Sequence, residues 1–332
     1  MPKTASLRAL AVAGFAAAFL WFAPSPSAQP AGLWYKGNLH THTINSDGDS
    51  SPDEVVRWYK EHRYNFLVLT DHDYLTAVDG LNTVFGAQDK FLVVRGEEVS
   101  ARFEKKPIHL NAFNPASVIA PQSGVSVLDT IQRNVDAIRR AGGAPVVNHP
   151  NFGWAITAEE LRQVQNNRLF ELYNGHPEVN NVGGGGIPGL EQVWDLLLAS
   201  GRQMYGVAVD DAHYFKQFGP QYSNPGRGWV AVRARELSAA ALVEALERGD
   251  FYASTGVVLA DVARASGGLR LEIRPARALK YTTEFIGEKG RVLQTSFETA
   301  STYTLTAADR YVRARVTASN GEIAWTQPVF RE

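Results

Sequence analysis

The chain has 332 residues, 45% of them hydrophobic, and a formal net charge of −1. That length can bury one large core and a small additional domain, and the balanced charge, with no basic run and no acidic tail, excludes the electrostatic footprint of a nucleic-acid partner. Cysteine is absent. This excludes disulfides, thiolate zinc fingers and iron–sulfur clusters, and leaves any metal to histidine and carboxylate, a ligand set suited to Zn, Mn or Fe.

Residues 1–28 read as a signal peptide. Lys3 and Arg8 make a positive start, Ala9 to Ala23 is an apolar run of 15 residues, and Pro24 to Ala28 breaks it with small residues. Fifteen is short of the roughly 20 needed to span a bilayer and fits a secretory segment. The expectation is a periplasmic or secreted protein with no stable membrane insertion after cleavage, and a mature charge near −3 once both cations are removed.

Leu33 to Leu39 reads as a strand that ends in His40-Thr41-His42, with a Ser46-Asp47-Gly48 turn beyond it. Residues i and i+2 of a strand share a face, so both imidazoles can reach one point. Ser51-Pro52-Asp53-Glu54 starts a helix as a capping box with proline in the first turn. Phe66 to Leu69 is the next strand and runs into Asp71-His72-Asp73. Phe91 to Val94 leads to Glu97-Glu98-Val99-Ser100, and Pro107 to Phe113 contains His109. Leu128, Ile131, Val135 and Ile138 space a helix over Ser126 to Arg140, ended by Gly142. Strands at Ala144–Val147, Leu169–Tyr173 and Met204–Val209 end in His149, His176 and Asp210-Asp211-Ala212-His213 respectively. Gly183 to Gly186 lacks the strand–GxxxxGK–helix context of a phosphate loop and reads as a loop beside the site. A helix over Leu190 to Ser200 precedes the Met204 strand. Gly228–Val232, a helix over Ser238–Arg248 and Phe251–Ala253 read as a closing βαβ-like unit. The alternation argues for a parallel sheet, and ionisable residues at strand ends favour a closed barrel with its site at that rim.

From about Ala265 the pattern becomes all-β, with Gly267-Gly268 as a linker and six strands between Leu269 and Thr326. Val312, Ala314 and Val316 alternate with Arg313, Arg315 and Thr317, which predicts one buried and one wet face. The domain layout expected is therefore 1–28 signal, 33–262 α/β and 266–332 a small sandwich-like domain.

Six of the eight histidines (His40, His42, His72, His109, His149, His213) lie in or just after predicted strands, with Asp47, Glu98 and Asp211 beside them. Gathered without cations, such groups would repel or cost several kcal/mol each in desolvation. A multinuclear metal site removes that cost. His176 reads equally as a proton donor or a loop histidine, and Arg227 as an anion clamp or a surface arginine.

In order, these segments resemble the motif set of the polymerase and histidinol phosphatase (PHP) superfamily of metallohydrolases, over about residues 34–260. They are most similar to its secreted branch that includes carbaryl hydrolases. The resemblance implies a distorted (βα)7 barrel, a small C-terminal antiparallel β domain and two or three divalent ions. The first ion would take His40, His42, Glu98 and Asp211, the second Glu98, His109 and His149, and the third Asp47, His72 and His213. The resemblance prefers Glu98 over Glu97 because Glu98 directly precedes Val99-Ser100, as the family motif's Glu does, and Asp-x-His spacing selects Asp211 over Asp210; neighbours on a strand alternate faces, so only one of each pair can reach the site. A hydroxide bridging two ions is the implied nucleophile. Asp71 and Asp73 are expected to orient ligand histidines.

Three functions follow. The first is a secreted metal-dependent hydrolase of small-molecule phosphoesters. The second keeps the metals but cleaves aryl carbamates or carboxylic esters. It draws on the scarcity of cations beyond Arg227 and Arg102, and on Trp154, Tyr173, Tyr214, Tyr222 and Trp229 near the motif loops. The third is a non-catalytic periplasmic metal-binding protein. The sequence sets no oligomeric state.

Overall fold

The computed structural model describes Met1, residues 32–265 and residues 267–331. Apart from Met1, the expected signal peptide lies outside the described residues. No helix among the described residues is long and apolar enough to cross a membrane.

From Gly32 the chain is mixed α/β around one large central sheet. It runs β1 (Leu33–Asn38), α1 (Pro52–Glu61), β2 (Phe66–Leu69), α2 (Asp79–Phe85), β3 (Leu92–Phe103), β4 (Lys106–Phe113), α3 (Val127–Arg140), β5 (Ala144–Val147), α4 (Ala158–Gln163) and β6 (Leu169–Asn174). A separate two-stranded hairpin, β7 (Gly183–Gly184) with β8 (Ile187–Pro188), precedes α5 (Leu190–Ala199) and β9 (Tyr205–Val209). In the sheet the order is β1-β2-β3-β4-β5-β6-β9. The ends of the series also meet: Thr41 bridges Ala212 in parallel, His42 N donates to Ala212 O at 2.9 Å, and Asp211 N to His40 O at 3.0 Å. Strand β2 alternates Phe66 and Val68 into one apolar cluster with Leu67 and Leu69 into another, so both its faces are covered.

The sheet is not uniformly parallel. β3 and β4 pair antiparallel, as do β4 and β5, because only Glu104-Lys105 separates β3 from β4 and so short a connection must reverse the strand. The expected closing βαβ unit is also different. β10 (Trp229–Ala234) and β11 (Phe251–Ser254) pair antiparallel with Val232 opposite Phe251, so α6 (Ala239–Arg248) is an excursion within a hairpin. Helix starts follow the capping residues. Glu54 accepts from Ser51 N at 2.9 Å, and Ser126 Oγ accepts from Asp129 N at 3.0 Å.

The remaining strands are β12 (Leu259–Ala265), β13 (Gly268–Ile273), β14 (Tyr281–Ile286), β15 (Val292–Ser296), β16 (Ala300–Thr304), β17 (Tyr311–Ala318), β18 (Ile323–Thr326) and β19 (Val329–Phe330). β18 pairs with β11, so β18, β17, β14 and β15 extend the central sheet, while β12, β13 and β16 form a second one. Gly268 opens β13 opposite Ala265, and Gly267 lies in the short connection before it. Nor is one face of β17 wet. Arg313 is 1% exposed, because Asp195 and Glu191 of α5 receive its guanidinium in hydrogen bonds of 2.8 Å.

Candidate metal centre

The ends of β1, β2, β5 and β9 and the interiors of β3 and β4 deliver nine side chains to one place. His40, His42, Glu98 and Asp211 are nearly or wholly buried. Their donor atoms stand close together: His40 Nε2 is 3.1 Å from His42 Nε2, 3.1 Å from Glu98 Oε2 and 3.3 Å from Asp211 Oδ1. His42 Nε2 is 3.3 Å from Glu98 Oε2 and 3.2 Å from Asp211 Oδ1. A tetrahedral shell with metal bonds of about 2.0–2.1 Å has edges of about 3.3 Å, and each of these five separations is of that size; His40, His42 and Asp211 form one group whose donor atoms could share a cation.

Glu98 serves two groups. Its Oε1 lies 3.1 Å from His109 Nδ1 and 3.2 Å from His149 Nε2, and Asn148 Nδ2 donates to the same oxygen at 2.8 Å. A third group forms around Asp47, with His213 Nε2 at 3.3 Å and His72 Nε2 at 3.6 Å. His72 also brings Nδ1 within 3.2 Å of Glu98. Ser100 Oγ donates to Glu98 O at 2.9 Å and so accepts from His72 Nδ1 at 2.6 Å. That leaves Nε2, on the Asp47 side, as the bare nitrogen. His213 is set the same way: Nδ1 donates to Asp211 O at 2.9 Å.

Backbone strain marks the same place. His149 and Asp211 adopt φ of 24° and 50°, a region that side chains other than glycine enter at a cost. Asp211 N bonds to His40 O in the β1–β9 contact, so the strained turn aims Asp211 inward while Asp210 faces away. Asp210 accepts from Tyr59 Oη at 2.8 Å and from Gly228 N at 2.8 Å. Glu97 likewise faces out and accepts from Ile119 N at 3.0 Å; burial raises its carboxyl to about 7. Burial would also raise Glu98, but the charges of His40, His72 and His109 hold it well below the usual carboxylate range. Burial opposes the charge on His40 as well, yet Asp211, Glu98 and Glu171 keep its imidazole well above the ordinary value. Acidic groups thus gather positive charge here, which divalent cations would supply without protons.

The other predicted residues fall elsewhere. Asp71 is buried, but its carboxylate accepts from Thr43 N at 2.7 Å, Ser46 Oγ at 2.9 Å and Thr76 Oγ1 at 2.6 Å. Asp73 is exposed and accepts from Ser100 N at 2.8 Å. Neither hydrogen-bonds a ligand histidine; both anchor the backbone that carries them. Arg227 donates to Gly175 O at 2.9 Å and Gly219 O at 2.7 Å and does not line the cavity, because its fork is spent on loop carbonyls. Of the motif-loop aromatics, Trp229 is buried in the core and Tyr173 packs on Trp325.

His176 does reach the site. It lines a cavity of about 150 Å³ together with Phe152, Glu178 and the metal-type residues. Its Nδ1 accepts from Glu178 N at 3.2 Å, so the neutral ring carries its proton on Nε2. Burial lowers its pKa. Two contributors escape the sequence reading. Glu171 of β6 accepts from His40 Nδ1 at 2.6 Å and from His149 N at 2.7 Å. Asn174 Nδ2 donates to both Glu171 and Asp211. A lone acid amid Leu169-Phe170 and Leu172-Tyr173 was the available signal, since a carboxylate in a fully buried strand requires partners.

No protein-family profile matches the chain. Among curated proteins it is 32% identical over 79 residues to a 5'-3' exoribonuclease of Haemophilus influenzae, covering 24% of this chain and 28% of that one. A 5'-3' exoribonuclease of Salmonella typhimurium is 32% identical over 78 residues, covering 23% and 27%. The matched stretches span little more than a quarter of either relative. Among solved structures it is similar to a two-domain Bacteroides vulgatus protein described as containing a predicted PHP-like metal-dependent phosphoesterase. The TM-score is 0.51 at 16% identity, over 89% of this chain and 96% of that one. A lesion-specific endonuclease of Pyrococcus furiosus aligns at TM-score 0.43 and 12% identity, over 65% and 56% of the two chains. The fold is therefore of the kind found in the Bacteroides protein.

Proposed function

We propose that the chain is a PHP-superfamily hydrolase, exported by its N-terminal segment, that cleaves small-molecule phosphoesters with two or three divalent cations. In this reading the strand series β1 to β9, joined through Thr41 and Ala212, is the distorted seven-stranded barrel, and the strands after 266 are its accessory β domain. Glu98 is the observation that carries the reading. One buried carboxylate turns one oxygen to His40 and His42 and the other to His109 and His149, as a carboxylate shared by two cations must.

The cations, when bound, would supply an activated water and a Lewis-acid contact for the attacked oxygen. The chain's own residues do the rest. Glu171, Ser100 and the Asp211 carbonyl fix the tautomers of His40, His72 and His213. His176, with its Nε2 proton, can donate to a departing oxygen. The short likeness to exoribonucleases, whose bond is a phosphodiester, supports the phosphoester side. The chain's near-neutral charge argues for small esters over a polymer.

The test is metal analysis of the purified protein followed by a panel of bis(p-nitrophenyl) phosphate, p-nitrophenyl phosphate, naphthyl acetate and a naphthyl carbamate. Metal-dependent turnover of the phosphates is expected. Turnover of the ester or carbamate alone would replace this reading with the second one. That second reading is favoured by the absence of lysine and arginine from the cavity wall. Bound metal with no turnover would mark a binding protein.

A further inference from the structure

The cavity over the candidate metal centre holds about 150 Å³, below the roughly 300 Å³ or more of pockets that enclose whole drug-sized ligands. It admits the group under attack; the remainder of an ester must lie across its rim.

One side of that rim is apolar and firmly built. Phe152 forms part of the cavity wall and stands edge-on to His149 and His176, at centroid separations of 5.2 and 6.1 Å. Gly153 and Trp154 follow with φ of 56° and 54°, so this turn holds its aromatic residues at a backbone cost. The β7–β8 hairpin is fastened to the same turn. Asn151, only 2% exposed, donates through Nδ2 to Asn180 O and to Pro188 O, each at 3.0 Å, tying both stems of the hairpin. A Cβ placed on Gly184 would come 3.7 Å from Trp154 Cη2. Gly185 and Gly186 make the reversal with φ of 59° and 87°, which suits a two-residue turn with both centres left-handed. Val182 and Ile187 on the stems are 93% and 39% exposed.

The hairpin is also linked to the metal centre. Asn181 accepts from Asn174 N at 3.0 Å and donates to Asn174 O at 2.8 Å, and Asn174 Nδ2 donates to Asp211 Oδ2 at 3.0 Å.

We propose that Phe152 and Trp154, with the Val182–Ile187 hairpin, form a subsite for an aromatic substituent of the substrate, set beside the bond that is hydrolysed. The proposal rests on the hydrolase reading above. It explains why the cavity presents no lysine or arginine: recognition of the substituent is by ring faces and aliphatic edges, and the anionic group is left to the metals.

The test is calorimetric binding of phenylphosphonate and methylphosphonate to the metal-loaded full chain. Phenylphosphonate should bind about tenfold more tightly, the worth of one aromatic stacking contact. Phe152→Ala and Trp154→Ala should each lose most of that preference, read as the ratio of the two affinities. Val182→Ser, at an exposed position, gives a reduced preference without disturbing the fold if either aromatic variant proves unstable. Equal binding of the two phosphonates by the parent chain, or an undiminished preference in all three variants, overturns the subsite alone. No binding of either phosphonate overturns the hydrolase reading and the subsite with it.

Discussion

Glu171 Oε1 accepts the Nδ1 proton of His40 at 2.6 Å, with both side chains wholly buried. This single contact fixes which imidazole nitrogen is bare. With Nδ1 donating to a carboxylate, Nε2 presents its lone pair among His42, Glu98 and Asp211. Glu171→Gln keeps the shape but offers an amide that can donate to Nδ1 and move the ring proton to Nε2. Metal affinity should fall about 10–100-fold, with little change in the melting temperature of the metal-free protein. Competitive titration against a chelating dye measures it.

Glu98 and His149 separate shared from unshared roles. His149→Ala should lose one ion and lower turnover by about 100-fold or more, leaving the circular dichroism of the parent. Glu98→Gln touches both groups and should lose more metal than His149→Ala. Metal content by mass spectrometry, measured beside turnover, checks the order. Equal stoichiometry in the two variants would mean that Glu98 is not shared.

Much of this site could be read from residue order, and the reasons are local. His40 and His42 share a strand face by the two-residue period, and alternation admits only one of Glu97 and Glu98 and one of Asp210 and Asp211, the choice between them resting on motif resemblance and on Asp-x-His spacing. Strands such as Phe66–Leu69 and Ala144–Val147 are short apolar runs bounded by polar turns, and they lie where those runs predict. What escaped depends on contacts distant in sequence. Helices α2 and α4, of seven and six residues, are too short to show a period. Asp71 and Arg227 carry charges suited to chemistry, but their partners are backbone and hydroxyl groups brought in by the fold. Glu171 stands out as a lone acid in an apolar strand, but its partners are defined only when β6 is placed beside β5, where its second oxygen meets His149 N.

Removing metal should make stability depend on pH. Burial pushes the His42 imidazole down, but its hydrogen bonds to Asp211 and Glu98 outweigh this and raise it to about 9. A folded value above the unfolded one, 6.5, contributes stability that is fully present below pH 6.5 and lost as pH climbs through about 9. The chelated protein should therefore melt progressively lower across that window. A cation takes the place of the proton, so its affinity should rise over the same range and the loaded protein should show no such decline. Thermal melts of both forms at intervals between pH 6.5 and 9 decide it.

Arg313 joins the C-terminal strands to the α/β region. It is 1% exposed, and its Nε and Nη2 meet the two oxygens of Asp195 at 2.8 Å each. Its Nη1 meets Glu191 at 2.8 Å, and Glu191 also reaches Arg315 at 3.2 Å. Removing one member of such a buried group leaves the others uncompensated, so Arg313→Ala should cost about 3–5 kcal/mol in urea unfolding. Burial would raise Glu191, but Arg313 and Arg315 hold it below its ordinary 4.5. A depressed carboxylate contributes stability above the unfolded value and loses it as pH falls below. At Asp195 burial outweighs Arg313 and raises the carboxyl, which contributes in the opposite sense, so the loss on acidification below about pH 4.5 is that of Glu191, and Arg313→Ala, which lacks its main cation, should lose less of it. A variant with full stability and an unaltered acid limb would place the attachment of β17 elsewhere.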